Sequence, residues 1–180
     1  MSKKIVAVSA SMRAGSNSGK LLDAFIAGAE AAGHEVEKIS LRGMDLRYCQ
    51  GCLACSRTGR CVIRDDAQDV VDKISQADVV VFATPIYYYD MCGQLKTLLD
   101  RSNPMYYAGH YRFRDVYLLT AAAWRDEEVT KRAAITLGGW LACLPKARLA
   151  GTVFAGGVEG PGAVEGHPAL AEARRMGESV

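Results

Sequence analysis

A chain of 180 residues with 49% hydrophobic and 23% charged side chains has the length of one domain and the composition of a protein that buries a real core in water. Its net charge of +2 is too small to imply a nucleic acid or a membrane surface as partner, and no run approaches the ~20 apolar residues of a membrane span. The basic start Met1-Ser2-Lys3-Lys4 does not read as a secretion signal, because serines and Arg13 break the apolar run behind it. With six cysteines read as thiols or metal ligands, a reducing cytoplasm is the expected compartment.

The chain opens on an apolar strand, Lys4-Ile5-Val6-Ala7-Val8, which runs into Ser9-Ala10-Ser11-Met12-Arg13-Ala14-Gly15-Ser16-Asn17-Ser18. A helix follows with Leu21, Leu22, Phe25, Ile26 and Ala29 on one face. The first N–H groups of a helix lack intrahelical partners and carry the positive end of its dipole, so such a turn can hold a phosphate. Ser9, Ser11, Ser16, Asn17 and Ser18 offer further donors, and Arg13 a charged fork. Gly15-Ser16-Asn17-Ser18-Gly19-Lys20 is not a P-loop, since only three residues separate the glycines and Leu21 stands where Ser or Thr would meet magnesium. No G-x-G-x-x-G follows the strand either, which disfavours a dinucleotide fold. A hydroxyl-rich loop suits a monophosphate held end-on, as in FMN; the alternative is an ordinary polar strand-to-helix loop.

Further along, Glu35 to Leu41 reads as a short polar strand at an edge. Asp66 reads as the cap of a helix carrying Val70, Val71 and Ile74. Asp78-Val79-Val80-Val81-Phe82-Ala83-Thr84 is a strand covered on both faces. Gly93 to Arg101 is a helix and Val116 to Thr120 a fourth strand. Asp126 caps a long helix with Val129, Ala133, Leu137, Trp140, Leu141 and Leu144 inward. Leu149 to Ala155 is a fifth strand and Ala169 to Met176 a closing helix. This alternation predicts one domain over residues 1–180, a doubly wound three-layer α/β/α sandwich on a five-stranded parallel sheet. Ligands of such sheets sit beyond the carboxyl ends of the strands, where the strand order reverses.

The segment after the third strand reads Thr84-Pro85-Ile86-Tyr87-Tyr88-Tyr89-Asp90-Met91-Cys92-Gly93-Gln94-Leu95-Lys96. Three consecutive tyrosines cannot all face inward. A flat conjugated ring needs apolar or aromatic contact on its faces and backbone hydrogen bonds at its edge, which Pro85 to Tyr89 can supply. A tyrosine-rich contact with a second copy is the alternative.

These two segments in this order resemble the NADPH-dependent FMN reductase family of the flavodoxin-like superfamily, over a stretch from Ile5 to about Val158. The resemblance implies a flavodoxin-like fold, with Ser9, Ser11, Arg13, Ser16, Asn17 and Ser18 on the FMN phosphate. Pro85, Ile86, Tyr87, Tyr88 and Tyr89 would line the ring, and Thr120 joins the cofactor-binding set. It further implies an oxidoreductase that accepts hydride from NAD(P)H and reduces a flavin, a quinone, another small acceptor or a redox protein, assembled as a homodimer or homotetramer. The loop after the fourth strand, Thr120-Ala121-Ala122-Ala123-Trp124, departs from the glycine-containing turn of relatives, leaving Trp124 to cover the ring or fill the core.

A third signal is the C-x2-C-x2-C-x5-C array of Cys49, Cys52, Cys55 and Cys61, with Gly51 and Gly59 to bend the chain. Zinc usually takes two C-x-x-C pairs set further apart, so a cluster is the better metal reading. The spacing resembles that of iron–sulfur flavoproteins, which implies a 4Fe-4S cluster and the alternative role of an electron carrier. A folded loop of thiols followed by Asp65 and Asp66 is the plainer reading. Cys92 reads as a redox thiol beside the ring edge or a small core residue and Cys143 as structural, Arg101 to Arg114 as a basic, aromatic loop that docks a nucleotide, covers a neighbouring subunit's flavin or is solvated, and Gly156 to Gly162 as a lid or a connector.

Overall fold

The computed structural model describes residues 1–180. Strand β1 (Lys4–Ser9) alternates strictly: Ile5 and Ala7 point to one face of the sheet, Val6 and Val8 to the other, all without solvent exposure. Around it the chain lays down α1 (Asn17–Ala31), β2 (Glu35–Ser40), the short α2 (Ala54–Thr58), α3 (Ala67–Gln76) and β3 (Val79–Tyr87). There follow β4 (Asp90–Met91), α4 (Gly93–Arg101), α5 (Asn103–Ala108), β5 (Asp115–Ala122), α6 (Glu128–Ala142), β6 (Arg148–Gly156) and α7 (Pro168–Glu178).

Five strands are parallel in the order β2-β1-β3-β5-β6, with helices on both faces, so the fold is a flavodoxin-like three-layer α/β/α sandwich. The polar β2 is indeed an edge strand. From β1 the chain steps outward to β2 and then crosses to β3 on the far side of β1, so the reversal of order falls at the ends of β1 and β3. Ser9 stands opposite Ala83 there, and the Ala10 N–H donates to the Ala83 carbonyl at 2.9 Å.

The sheet divides two cores. On one side Ile5, Ala7, Val81 and Leu119 pack against Leu21, Leu22 and Phe25 of α1 and Ala169 and Ala173 of α7. On the other, Val6, Val8, Phe82 and Leu118 meet Val70 and Ile74 of α3, Leu95 and Leu98 of α4, and Ala133 and Leu137 of α6. Trp140 closes that second core, stacked on Phe113 with ring centres 5.8 Å apart and edge-on to Phe82 at 5.9 Å. Its indole N–H donates to Ser102 Oγ at 2.8 Å. Helices α1 and α7 cross through glycine. A Cβ on Gly28 would stand 2.1 Å from the Arg174 carbonyl oxygen, and one on Gly177 2.1 Å from that of Phe25.

The structure amends the sequence reading at several points. β3 runs on to Tyr87 and folds back on the two-residue, antiparallel β4, a sixth strand that hydrophobic periodicity does not reveal. α2 and α5 were not foreseen; both are single turns or little more, too short for a periodic signal. Asp66 occupies the position before α3 but makes no cap bond, because its carboxylate accepts from the Asp45 N–H at 2.8 Å. The residue before α6 is Glu127, and Asp126 instead accepts from the Glu128 N–H at 2.9 Å.

Candidate functional site

The loop after β1 turns through Gly15 at a φ of +61° and enters α1 at Ser16, whose Oγ accepts from the Gly19 N–H at 3.1 Å. The first amides of α1 are thereby left open toward a cleft at the carboxyl ends of β1, β3 and β5. Ser11, Arg13, Ser16, Asn17 and Ser18 form one wall, Pro85, Ile86 and Tyr87 a second, Ala121, Ala122 and Ala123 a third, and Val158 and Glu159 complete it. The cleft between these walls has a volume of about 230 Å³ and opens to solvent.

One atom at the α1 end has no role in the protein itself. Ser18 is 1% exposed and its Oγ has no hydrogen-bond partner. A buried hydroxyl in that condition is costly unless something from outside the chain completes it. Asn17, by contrast, is committed. Its Nδ2 donates to the carbonyls of Val158 at 3.2 Å and Gly160 at 2.9 Å, and its Oδ1 accepts from the Val164 N–H at 3.2 Å. Only its backbone amide remains free to face a ligand. Arg13 reaches across the cleft mouth, Nη1 donating to the Glu159 carbonyl at 2.7 Å, while its own N–H donates to Ser11 Oγ at 3.3 Å.

Four residues read from sequence as cofactor-binding lie outside the lining. Ser9 borders a separate polar hollow with Lys20, Lys38 and Arg42 on the other side of the loop. Thr120 is 2% exposed and spends its hydroxyl inward, donating to the Val153 carbonyl at 3.2 Å and accepting from Thr130 Oγ1 at 2.9 Å. Tyr88 and Tyr89 form the turn between β3 and β4, both with positive φ (49° and 67°), and point to solvent. Positive φ at both central residues matches the twist of a two-residue hairpin, and it swings these rings away from the wall that Tyr87 occupies. The alanines at the end of β5 and the Val158–Glu159 pair carry no motif that marks them as site residues. The run of small residues at a strand end was their one signal, and the glycine-rich stretch read as lid or connector is here a fixed wall. Trp124 is 67% exposed, so it does not fill the core.

Cys49, Cys52, Cys55 and Cys61 all line a second, smaller pocket, together with Arg101, Asn103, Pro104 and Tyr107. The chain bends around it through left-handed Gly51, Leu53 and Gly59. The sulfurs are free thiols, and no three His, Cys, Asp or Glu side chains are drawn together as a site for a single metal ion. Burial pushes the Cys55 thiol up, and the proximity of Cys61, Cys49 and Cys52 pushes the same way, against a hydrogen bond to its backbone. Behind the pocket, Arg101 and Asp65 form an ion pair with both side chains fully buried. Arg101 Nη2 donates to Asp65 Oδ1 at 2.8 Å, and Nη1 donates to the Arg47 carbonyl at 2.6 Å. Burial pushes the Asp65 carboxyl up. The hydrogen bonds from Arg101 and from the amides of Arg47 and Ala67 outweigh it, leaving the group below the usual carboxylate range. Cys92 is buried, its thiol between Thr84 Oγ1 at 3.3 Å and the Ala10 carbonyl at 3.4 Å, whereas Cys143 is exposed.

An open parallel sheet with a cleft at its order reversal, and a helix amino end facing that cleft, defines a ligand-binding α/β protein of the doubly wound class. Residues 3–174 match the family model for NADPH-dependent FMN reductase, and the chain belongs to that family. It is 32% identical over 142 residues to an iron-sulfur flavoprotein of Archaeoglobus fulgidus, covering 76% of this chain and 63% of the relative. A second iron-sulfur flavoprotein, from Methanocaldococcus jannaschii, is 34% identical over 102 residues, covering 57% and 53%. The chain thus spans less than two thirds of the length of these curated relatives. Among solved structures it resembles an NAD(P)H:quinone oxidoreductase from Methanothermobacter marburgensis (TM-score 0.78, 20% identity, 99% and 96% of the two chains). An azoreductase from Bacillus anthracis is similar too (TM-score 0.76, 20% identity, all of both chains). At that identity these two bear on the fold.

Proposed function

We propose that the chain is an FMN-dependent oxidoreductase that takes hydride from NAD(P)H and delivers electrons to a flavin, a quinone, another small acceptor or a redox protein. The observation that carries this reading is the unpartnered, buried hydroxyl of Ser18 at the open end of α1, inside the cleft at the carboxyl ends of the strands. The residues fit a flavin mononucleotide. The amides of Asn17 and Ser18, the Ser18 hydroxyl and the Arg13 guanidinium hold the phosphate, with Ser11 and Ser16 beside them. Pro85, Ile86 and Tyr87 make the apolar wall of a ring site, and Ala121 to Ala123 leave room opposite. Bound FMN supplies the hydride-accepting and electron-donating chemistry. Arg13 and Glu159 are the charged side chains of the lining, and both belong to the loop end of the cleft. The protein therefore binds, orients and excludes water, and moves no proton through a side chain of its own at the ring.

A second reading, an iron–sulfur flavoprotein that passes electrons between FMN and a 4Fe-4S cluster, is favoured by one observation: four cysteines line one pocket beside a buried guanidinium. Four thiols in thirteen residues suit such a group, which would exchange single electrons with a partner. Exposed Tyr87 of the lining, with exposed Tyr88, Tyr89 and Trp124 close to it in sequence or beside Ala123, supports assembly as a homodimer or homotetramer around the cleft mouth. The free thiols support a reducing, cytoplasmic setting, and no helix is long and apolar enough to cross a membrane.

Anaerobic purification followed by a visible spectrum and iron analysis tests both readings. Flavin bands with steady NAD(P)H oxidation in the presence of a quinone support the enzyme. Broad added absorbance with about four irons per chain supports the carrier. Calorimetry with no heat on titrating FMN into folded apoprotein overturns both.

A further inference from the structure

The cysteine pocket contains a donor that the protein leaves unused. Arg101 is 2% exposed and lines the pocket, and its guanidinium is anchored from behind. Both terminal nitrogens bond to Asp65, Nη1 also to the Arg47 carbonyl, and Nη2 at 3.5 Å to that of Ile63. Nε is buried and makes no hydrogen bond of good geometry, although Cys61 lies within hydrogen-bonding reach of the Arg101 side chain. A guanidinium held this firmly cannot turn to satisfy its last N–H elsewhere, and burying that N–H alone is costly. On the pocket side the neighbours are sulfur. Cys61 is near enough to strengthen the charge on Arg101, and Asn103 Nδ2 lies 3.7 Å from Cys49 Sγ.

We infer that Arg101 Nε–H donates a hydrogen bond to a sulfur of the cysteine-bound cluster, and that this bond raises the cluster's reduction potential. The inference rests on the iron–sulfur reading above. Hydrogen bonds and positive charge at cluster sulfurs favour the electron-richer reduced state, and outer-shell donors also hold the ligands in place. Asp65 then has a defined part. It fixes the plane of the guanidinium and keeps the buried site near neutral before a cluster is present, so Arg101 is a preset donor rather than a mobile counter-ion.

The test compares anaerobically reconstituted wild type with Arg101→Lys, which keeps a cation for Asp65 but has no N–H at the Nε position. Iron per chain, FMN per chain and the cluster midpoint from a spectroscopic redox titration are read on each. The expected result is a midpoint lowered by the equivalent of tenfold in the reduction equilibrium, about 59 mV for one electron, with FMN content unchanged. Asp65→Asn is the companion variant. It retains the Nε–H and sheds a negative charge, so its midpoint stays at or above that of wild type. A purely structural clamp predicts equal iron loss from both variants with an unmoved midpoint in what remains, and that result overturns the inference. Wild type that takes up no iron overturns the cluster reading and this inference together. Iron-loaded wild type whose midpoint Arg101→Lys shares overturns this inference alone.

Discussion

The side-chain oxygen of Asn17 accepts a hydrogen bond from the backbone N–H of Val164, 147 positions away in sequence, at 3.2 Å. With its Nδ2 on Val158 and Gly160, one carboxamide fastens the loop after β6 to the first turn of α1 and so builds a cleft wall. Asn17→Ala should cost about 2–3 kcal/mol, since three partners, two of them buried, lose their bond. That corresponds to a melting point lower by roughly 5–10 °C for a chain of this size. A variant that melts with wild type but binds FMN weakly would make Asn17 a ligand to phosphate rather than a strut.

Ser18→Ala should separate binding from stability. Because Ser18 Oγ has no partner in the protein, removing it should leave the apoprotein as stable as wild type or up to about 1 kcal/mol more stable. The FMN dissociation constant should nevertheless rise roughly fivefold or more, about 1 kcal/mol. Arg13→Ala should raise it at least tenfold, about 1.4 kcal/mol. Flavin fluorescence titrations check both. Unchanged affinity in either variant removes that side chain from the phosphate site.

The Asp65–Arg101 pair predicts a pH signature. The Asp65 carboxyl lies below its ordinary value in the folded chain, so its stabilisation is complete above the ordinary carboxylate range and is lost as pH falls through the folded value. Asp78 behaves likewise, held down by the Lys4 N–H bond and by Arg112, with burial opposing. Asp65→Asn should therefore lose about 3–5 kcal/mol near pH 7, where it strands the Arg101 charge, and lose less as acid is added. Urea midpoints from pH 7 to pH 3 measure this. Parallel curves for wild type and variant would contradict the assignment.

Gly28→Ala should be among the most damaging small substitutions in the chain. The added methyl carbon meets the Arg174 carbonyl oxygen at 2.1 Å, and backbone cannot step aside as a flexible side chain would. Overpacking of this kind costs about 1–3 kcal/mol or more. Gly139→Ala, at an exposed position of α6 with open space at the new carbon, should instead gain up to about 1 kcal/mol. Urea unfolding of the pair, with equal shifts in both, would argue against a tight α1–α7 crossing.

The five parallel strands and the polar turn into α1 are legible in sequence because alternation at Ile5 to Val8 and the open turn before α1 are local patterns. What is not legible is long-range or conformational. Nothing near Asn17 announces that a loop from beyond β6 will consume its carboxamide. Thr120 looks like any hydroxyl at a strand end until β6 and α6 claim it. Tyr88 and Tyr89 carry none of the Gly, Asn or Asp that usually marks a two-residue hairpin, so their positive φ has no sequence cue. Arg101 reads as the start of a basic surface loop, because its partner Asp65 is distant in sequence and the burial of the pair depends on α4 packing over the cysteine segment.

The central sheet acts as a bulkhead. α1, which mounts the mononucleotide-type cleft, belongs to one compartment, and α4, which carries Arg101 beneath the thiols, belongs to the other. Val6 faces the compartment of α4 and Ala7 that of α1, although the two residues are adjacent. Ile86 lines the cleft yet packs on the α4 side, so the sheet's parallel strands are the common frame of both mounts.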